Sequence, residues 1–404
     1  MWKLKVNASE DPVTLDVLLT LELRTANEPL FPKLEFFWCE NATEAFIPFI
    51  PSFLSHETTS IDIEFAEGLP TATVASMITK SSMLCPYLKR ITLCPLPRDP
   101  VITEAVSELL LTRDRDSLQW FGVDSPLTEE AREVVFRLPK LFSLWIVIQG
   151  CTRIPPVVLP NLLTIDLEYD DYLDWLQGFR GAILGGLENV YFTSQSEQIG
   201  DFLGEFTSVA LTTSTPATLS TFNFNTSRSW DPSYRSLLPF TQLKDLQIDF
   251  SCNDHCSSRV DDNIIMDLAQ AMPKLEVLKL GNAPCRTGTG VTVKGLIALA
   301  RGCRHLSELR IHFQAASLIA ASTGLPAPSD DETVVRRQDC VLVELDVGET
   351  PIPRDSVLEI SMVLLQIFPC LLYIEFVERK WEDVAENIRL FQRIGSFVQR
   401  TGEV

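Results

Sequence analysis

The densest group of metal-binding residue types in the chain is Cys252-Asn253-Asp254-His255-Cys256. A closed zinc site takes four ligands, as a rule in two spaced pairs, and no second pair follows this one. A polar loop is therefore expected there, with no bound metal. Catalysis finds no better footing. The histidines are His56, His255, His305 and His312, and no Gly-x-Ser-x-Gly elbow, His-Glu-x-x-His helix or Walker loop accompanies them. The acid pairs Asp170-Asp171, Asp261-Asp262 and Asp330-Asp331 are consecutive. On a regular element their carboxylates diverge, so they suit helix starts and solvated loops better than the facing pair of an acid/base mechanism. No enzyme activity, catalytic residue or cofactor is expected. What remains is binding chemistry, carried by aromatic and charged side chains that recur at one place in a repeat.

The repeat is a leucine, two residues, a hydrophobic residue, one residue and a second hydrophobic residue. Its plainest copies are Leu88-Lys-Arg-Ile91-Thr-Leu93, Leu141-Phe-Ser-Leu144-Trp-Ile146, Leu162-Leu-Thr-Ile165-Asp-Leu167 and Leu275-Glu-Val-Leu278-Lys-Leu280. Further copies start at Leu243, Leu306, Leu342 and Leu371, and weaker ones at Leu34, Thr58, Leu118, Leu187 and Leu219. About thirteen copies at a mean period of about 28 residues fall in or just above the range of leucine-rich repeats.

Segments of helical periodicity separate the copies. In residues 128–138, Thr128 can cap the N-terminus while Val134, Val135 and Leu138 share a face; residues 261–272 begin with two acids at the positive helix end. One strand and one helix of this size cannot bury their apolar faces alone, so the copies must stack. The expected fold is an α/β leucine-rich-repeat solenoid, a horseshoe of irregular repeats with a parallel inner sheet and outer helices. A doubly wound α/β domain would need a Gly-x-Gly-x-x-Gly turn, and none of the 18 glycines forms one.

The spacing divides the chain into an N-terminal flank or cap over 1–33, a solenoid over 34–379 and a capping helix over 380–404. The flank holds a partial helical pattern over 12–23, and residues 314–339 read as a loop insertion within the solenoid. The capping helix would turn Trp381, Val384, Ile388, Phe391, Ile394 and Phe397 or Val398 inward.

Strand alternation then assigns the inner, concave face. Its expected partner-binding residues are Trp38, Trp120, Asp124, Trp145, Asp166, Glu168, Tyr191, Asp249, Arg310, His312, Asp346 and Glu375. Trp120 and Trp145 fall on adjacent strands. They either form one exposed patch, flanked by Asp124, Asp166 and Glu168, or lie under a loop or against neighbouring strands. An exposed patch of that composition suits a partner segment with Arg or Lys beside an apolar residue.

Composition bounds the rest. The 404 residues are 46% hydrophobic and 22% charged, which makes a folded chain. Lys and Arg number 34 against 54 Asp and Glu, a net charge of −20 that opposes nucleic acid and anionic membranes and favours a basic protein partner. No apolar run is long enough for a membrane helix, and Met1 to Asn7 does not open a signal peptide. Ten cysteines are too dilute for a disulfide framework, and Cys85, Cys303, Cys340 and Cys370 precede apolar runs as small buried residues do. A soluble monomer of the cytoplasm or nucleus, with reduced thiols, is expected.

The copy from Gly290 through Cys303 and Leu306 to Ile311 resembles the cysteine-containing leucine-rich repeat common in F-box proteins. Pro29 to Trp38, Phe49 to Leu54 and Cys85 to Leu88 look like the irregular repeats of the large fungal family of F-box-like proteins. The resemblance implies a substrate receptor for a cullin-type ubiquitin ligase. An F-box opens with a Leu-Pro-x-Glu-like segment and ends in a Trp-containing helix, and nothing before Leu34 can hold it, so docking to the ligase adaptor is not carried over. Two functions are expected. One is an interaction scaffold forming the substrate-recognition region of an F-box-type receptor; the other is a stand-alone leucine-rich-repeat inhibitor or regulator that covers a basic protein with its acidic face.

Overall fold

Each strong copy of the repeat buries its three hydrophobic residues. Leu88, Ile91 and Leu93, Leu141, Leu144 and Ile146, and Leu275, Leu278 and Leu280 are all 3% exposed or less. The leucine closes a turn, and the other two share one side of a short strand because strand side chains alternate. A computed structural model describes residues 2–8, 16–20, 28–112, 116–149, 157–169, 183–184, 186–195, 201–212, 215–226, 233–250, 260–281, 290–322, 341–348, 350–353 and 356–401. The chain forms an α/β fold of two compact units, residues 1–192 with 212–215 and residues 193–211 with 216–404.

In the first unit the strands are β1 (Trp2–Asn7), β2 (Leu34–Ala42), β3 (Ser60–Phe65), β4 (Arg90–Cys94), β5 (Trp120–Pro126), β6 (Ser143–Ile148), β7 (Val158–Leu159), β8 (Thr164–Tyr169), β9 (Ile183–Leu184) and β10 (Asn189–Ser194). Except for β7 and β9, which pair with each other, they lie side by side in chain order. The pairings from β1 to β8 are parallel, and one buried ladder, Phe37, Ile61, Ile91, Phe121, Leu144 and Ile165, runs in register across them. Parallel neighbours need crossovers. The helices Thr71–Leu84, Pro100–Leu111 and Glu129–Val135 supply three of these.

The second unit repeats the scheme with β11 (Thr221–Thr226), β12 (Asp245–Phe250), β13 (Val277–Leu280), β14 (Glu308–Ile311), β15 (Glu344–Asp346) and β16 (Tyr373–Glu375), all parallel. Its ladder is Phe222, Leu246, Leu278, Leu309, Leu345 and Ile374. Helices start where short polar side chains meet free amides. Thr128 accepts from the Ala131 amide at 3.3 Å, and Asp261 from the Ile264 amide at 2.9 Å. Asp262 reaches into the next repeat, accepting from the Thr292 amide at 2.7 Å, the Thr292 hydroxyl at 2.6 Å and the Gly295 amide at 3.0 Å. It thereby ties the helix Asp262–Ala271 to the start of the helix Val293–Gly302.

Several segments differ from the expectation. Within 1–33 the residues Trp2–Asn7 form a strand, because Lys3 and Lys5 alternate with Leu4 and Val6, and it pairs with β2. Within 12–23 only residues 16–20 are described, and they are helical. The start of the 314–339 segment is no loop: Ala315–Ser322 is a helix with Ala315 and Leu318 buried, and residues 323–339 lie outside the described residues. In the helix Lys380–Thr401, Trp381, Val384 and Ile388 are buried as expected, whereas Phe391 is half-buried and Ile394 is 51% exposed; the side chains of 397 and 398 lie outside the described residues. The helix therefore runs past the core it covers. Cys85 and Cys303 are buried, but Cys370 is exposed in the turn before β16. Cys340, Cys252 to Cys256, Asp170-Asp171 and Asp330-Asp331 lie outside the described residues. No described helix is long and apolar enough to cross a membrane.

Candidate functional site

With the ladder residues turned inward, the alternate residues of each strand form an outward face. In the first unit one row of this face is Lys5, Trp38, Asp62, Thr92, Gly122, Trp145 and Asp166, each the register partner of the next. The adjacent row carries Lys3, Phe36, Ser60, Arg90, Trp120 and Ser143. Trp120 and Trp145 meet over Gly122. A Cβ at Gly122 would stand 3.2 Å from Trp145 Cε3, tight enough to make that ring shift slightly, and in ordinary contact with Trp120 Nε1 at 3.6 Å.

Of the three indoles on this face among the described residues, Trp38 and Trp120 are capped by cations of the chain itself. Lys5 Nζ lies 3.8 Å from the Trp38 ring centroid and 2.7 Å from Glu40 Oε1. Arg90 Cζ lies 4.2 Å from the Trp120 centroid while its Nη2 reaches Asp62 Oδ2 at 3.2 Å. Trp120 also packs edge-on against Phe142, with centroids 5.9 Å apart. Trp120 is thus held among its neighbours. Trp145, equally half-buried, has no cation or ring partner among the described residues.

Carboxylates gather beside Trp145. Asp124 accepts from the Leu96 amide at 2.8 Å, and Glu168 pairs with Arg98. Asp166 makes no hydrogen bond or ion pair among the described residues. Burial, and then the negative charge of Glu168, pushes the Asp166 carboxyl up to about 6. Burial also raises Asp124, against the amide of Leu96 and the charge of Arg98. Cys94, on the same face, is pushed up to about 11 by burial and by Asp124, Asp62 and Glu64, so at neutral pH it is a thiol and a poor nucleophile.

In the second unit Arg310 is held between Asp249 at 3.1 Å and Asp346 at 3.5 Å, and Lys279 pairs with Glu308. Those acids serve the chain's own cation. Burial raises the Asp249 carboxyl and Arg310 opposes the rise. His312 follows the end of β14 and is buried at 7% exposure, as are Ile311 and Phe313 beside it, so it offers little surface to a partner. Tyr191 is half-buried on β10, and Glu375 is exposed on β16. Of the expected residues, then, Trp120, Asp124, Trp145, Asp166 and Glu168 come together in one unit and Asp249, Arg310 and Asp346 in the other.

The sequence reading missed Lys5, Arg98 and Gly122. Lys5 was legible in the alternation of Lys3-Leu4-Lys5-Val6, and Gly122 in its place between two outward residues, Trp120 and Asp124. Arg98 sits in the loop after β4, where no periodicity points to a partner. A separate cleft of about 320 Å³, lined by Ile47, Pro51, Met77 and Lys80 among others, opens against the helix Thr71–Leu84 and gathers no comparable set of groups. No protein-family model matches the chain, and no curated protein is significantly similar to it in sequence.

Proposed function

We propose that the chain is a protein-interaction scaffold, a leucine-rich-repeat solenoid that holds its partner on the outward sheet face, and that it serves as the substrate-recognition region of an F-box-type ubiquitin ligase receptor. The observation that carries the binding role is the register row that sets Lys5, Trp38, Asp62, Trp145 and Asp166 on one face, with Thr92 and Gly122 between Asp62 and Trp145. Such a row offers an extended partner many contacts, and aromatic anchors dominate the energy of interfaces of this kind. The raised thiol of Cys94 fits binding better than covalent chemistry on the same face. The ligase role rests on the resemblance of Gly290 to Ile311 and of the N-terminal copies to F-box-protein repeats. A stand-alone regulator that covers a basic protein is the second reading, favoured by the acids Asp124, Asp166 and Glu168 gathered on one face, of which Glu168 pairs with Arg98 and Asp166 has no ion pair among the described residues.

Affinity capture with the tagged chain, followed by mass spectrometry in cells with and without it, tests both readings. A ligase substrate is captured and accumulates when the chain is removed. A partner that is captured but unchanged in abundance points to the regulator. If nothing is captured in proportion to the chain, the scaffold reading fails.

A further inference from the structure

The three outward indoles invite a comparison. For Trp38 and Trp120, the register partner on the preceding strand is a cation, Lys5 and Arg90, and each cation also meets a carboxylate, Glu40 and Asp62. The chain therefore builds an indole–cation–carboxylate trio twice, the cation coming each time from the preceding strand, while the carboxylate that holds it stands on Trp38's own strand in one case, Glu40, and two strands before Trp120 in the other, Asp62. Trp145 also has a carboxylate beside it, in a third position: its register partner on the following strand is Asp166. Its partner on the preceding strand, where the cation stands in the other two, is Gly122. The third trio thus has its indole and its acid and lacks its cation. The nearby cation, Arg98, is engaged by Glu168, and Asp166 stays unpaired among the described residues.

We propose that an arginine side chain of a partner protein completes this third trio, its guanidinium lying against Trp145 and paired with Asp166. This rests on the scaffold reading and names the chemistry of its partner. Charge complementarity selects a cation, because among the described residues Asp124, Asp166 and Glu168 stand together against Arg98. Arginine fits better than lysine, because a guanidinium is planar, less strongly hydrated and able to stack on a ring while donating in its plane to a carboxylate. The site differs from a general acidic field in being a single place, between one indole and one acid.

The probe is N-acetylarginine amide, with its uncharged isostere N-acetylcitrulline amide as control. The readout is the indole N–H resonance of Trp145 in the intact, isotope-labelled chain, assigned by its loss in Trp145→Phe. A lone side chain binds weakly, with a dissociation constant on the order of 10 mM, so titration runs to about 100 mM. The arginine probe is expected to shift the Trp145 resonance along a saturating curve, with the Trp120 resonance moving little and citrulline giving no saturation. Asp166→Asn should weaken the response about threefold or more. A Trp145 resonance that does not saturate, or that responds equally to citrulline or in Asp166→Asn, overturns the proposal. If that happens while cellular partners still depend on the sheet face, the scaffold reading stands without the arginine site. If the probe binds as expected and no protein partner is captured, the scaffold reading is what fails.

Discussion

Asp166 shows how one residue reports on the state of the face. Its carboxyl is held near 6 by burial and by Glu168, with Trp145 across on β6 and Tyr191 on the next strand, β10. In the unfolded chain the group titrates near the ordinary value of 3.8. Between those values the folded chain binds the additional proton, so stability falls as pH rises and the full penalty is present above about 6. Asp166→Asn removes that penalty. The variant should exceed the parent by about 1–3 kcal/mol in urea unfolding at pH 8, and the advantage should shrink towards pH 4. An advantage that does not change with pH would show that Asp166 is not destabilised by its charge. The sequence showed Asp166 facing outward beside Trp145 through alternation alone. It could not show which acids are paired, because Arg98 and Arg90 reach their carboxylates across strands distant in sequence.

At the scale of elements, repeats are joined by side chains as well as by the sheet. Asp262 accepts three hydrogen bonds from the start of the following helix, and a Cβ at Gly295 would stand 2.7 Å from Asp262 Oδ1. Asp262→Ala leaves two amides and a hydroxyl without their acceptor and should cost about 1–3 kcal/mol, read as a lowered urea midpoint with the slope unchanged. Gly295→Ala should damage the same contact. The terminal helix is anchored by Trp381, fully buried, with Nε1 donating to the Thr350 carbonyl at 2.7 Å and its ring edge-on to Phe313 at 5.9 Å. Trp381→Ala should cost about 3–5 kcal/mol. Hydrogen exchange should then rise first in β15, β16 and the helix Val357–Ile367. A uniform rise through the second unit would mean that the helix is no local cap. The anchoring Trp381, Val384 and Ile388 were legible from their spacing; where the helix leaves the core was not, because periodicity continues through Ile394 after the packed partners end. The helix Ala315–Ser322 escaped for the opposite reason, since Gln314-Ala-Ala-Ser-Leu-Ile-Ala-Ala carries too few large apolar residues to mark a face.

For the whole chain, the alternation of strand and helix was legible because each repeat carries its own three-residue core signature, and the parallel order follows from the crossovers. β1 was not assigned, since its alternation of Lys3, Leu4, Lys5 and Val6 is short and does not carry the repeat's leucine, two residues, hydrophobic, one residue, hydrophobic spacing. The net charge of −20 gives the molecule a negative field, so binding of a basic partner should weaken as salt rises from low to physiological strength, with the loss mainly in association rate. The most direct test of the account compares three forms of the chain in quantitative affinity capture. They are the parent, a sheet-face variant with Trp145→Ala and Asp166→Asn, and a variant with Met83→Ser and Tyr87→Ser, which alters exposed apolar residues at the end of the helix Thr71–Leu84 and in the turn after it. The account predicts that the sheet-face variant, folded as judged by its melting curve, loses captured protein about tenfold or more, and that the Met83 and Tyr87 variant keeps it. Unchanged capture by the sheet-face variant, with loss in the other, would contradict the assignment of the binding face.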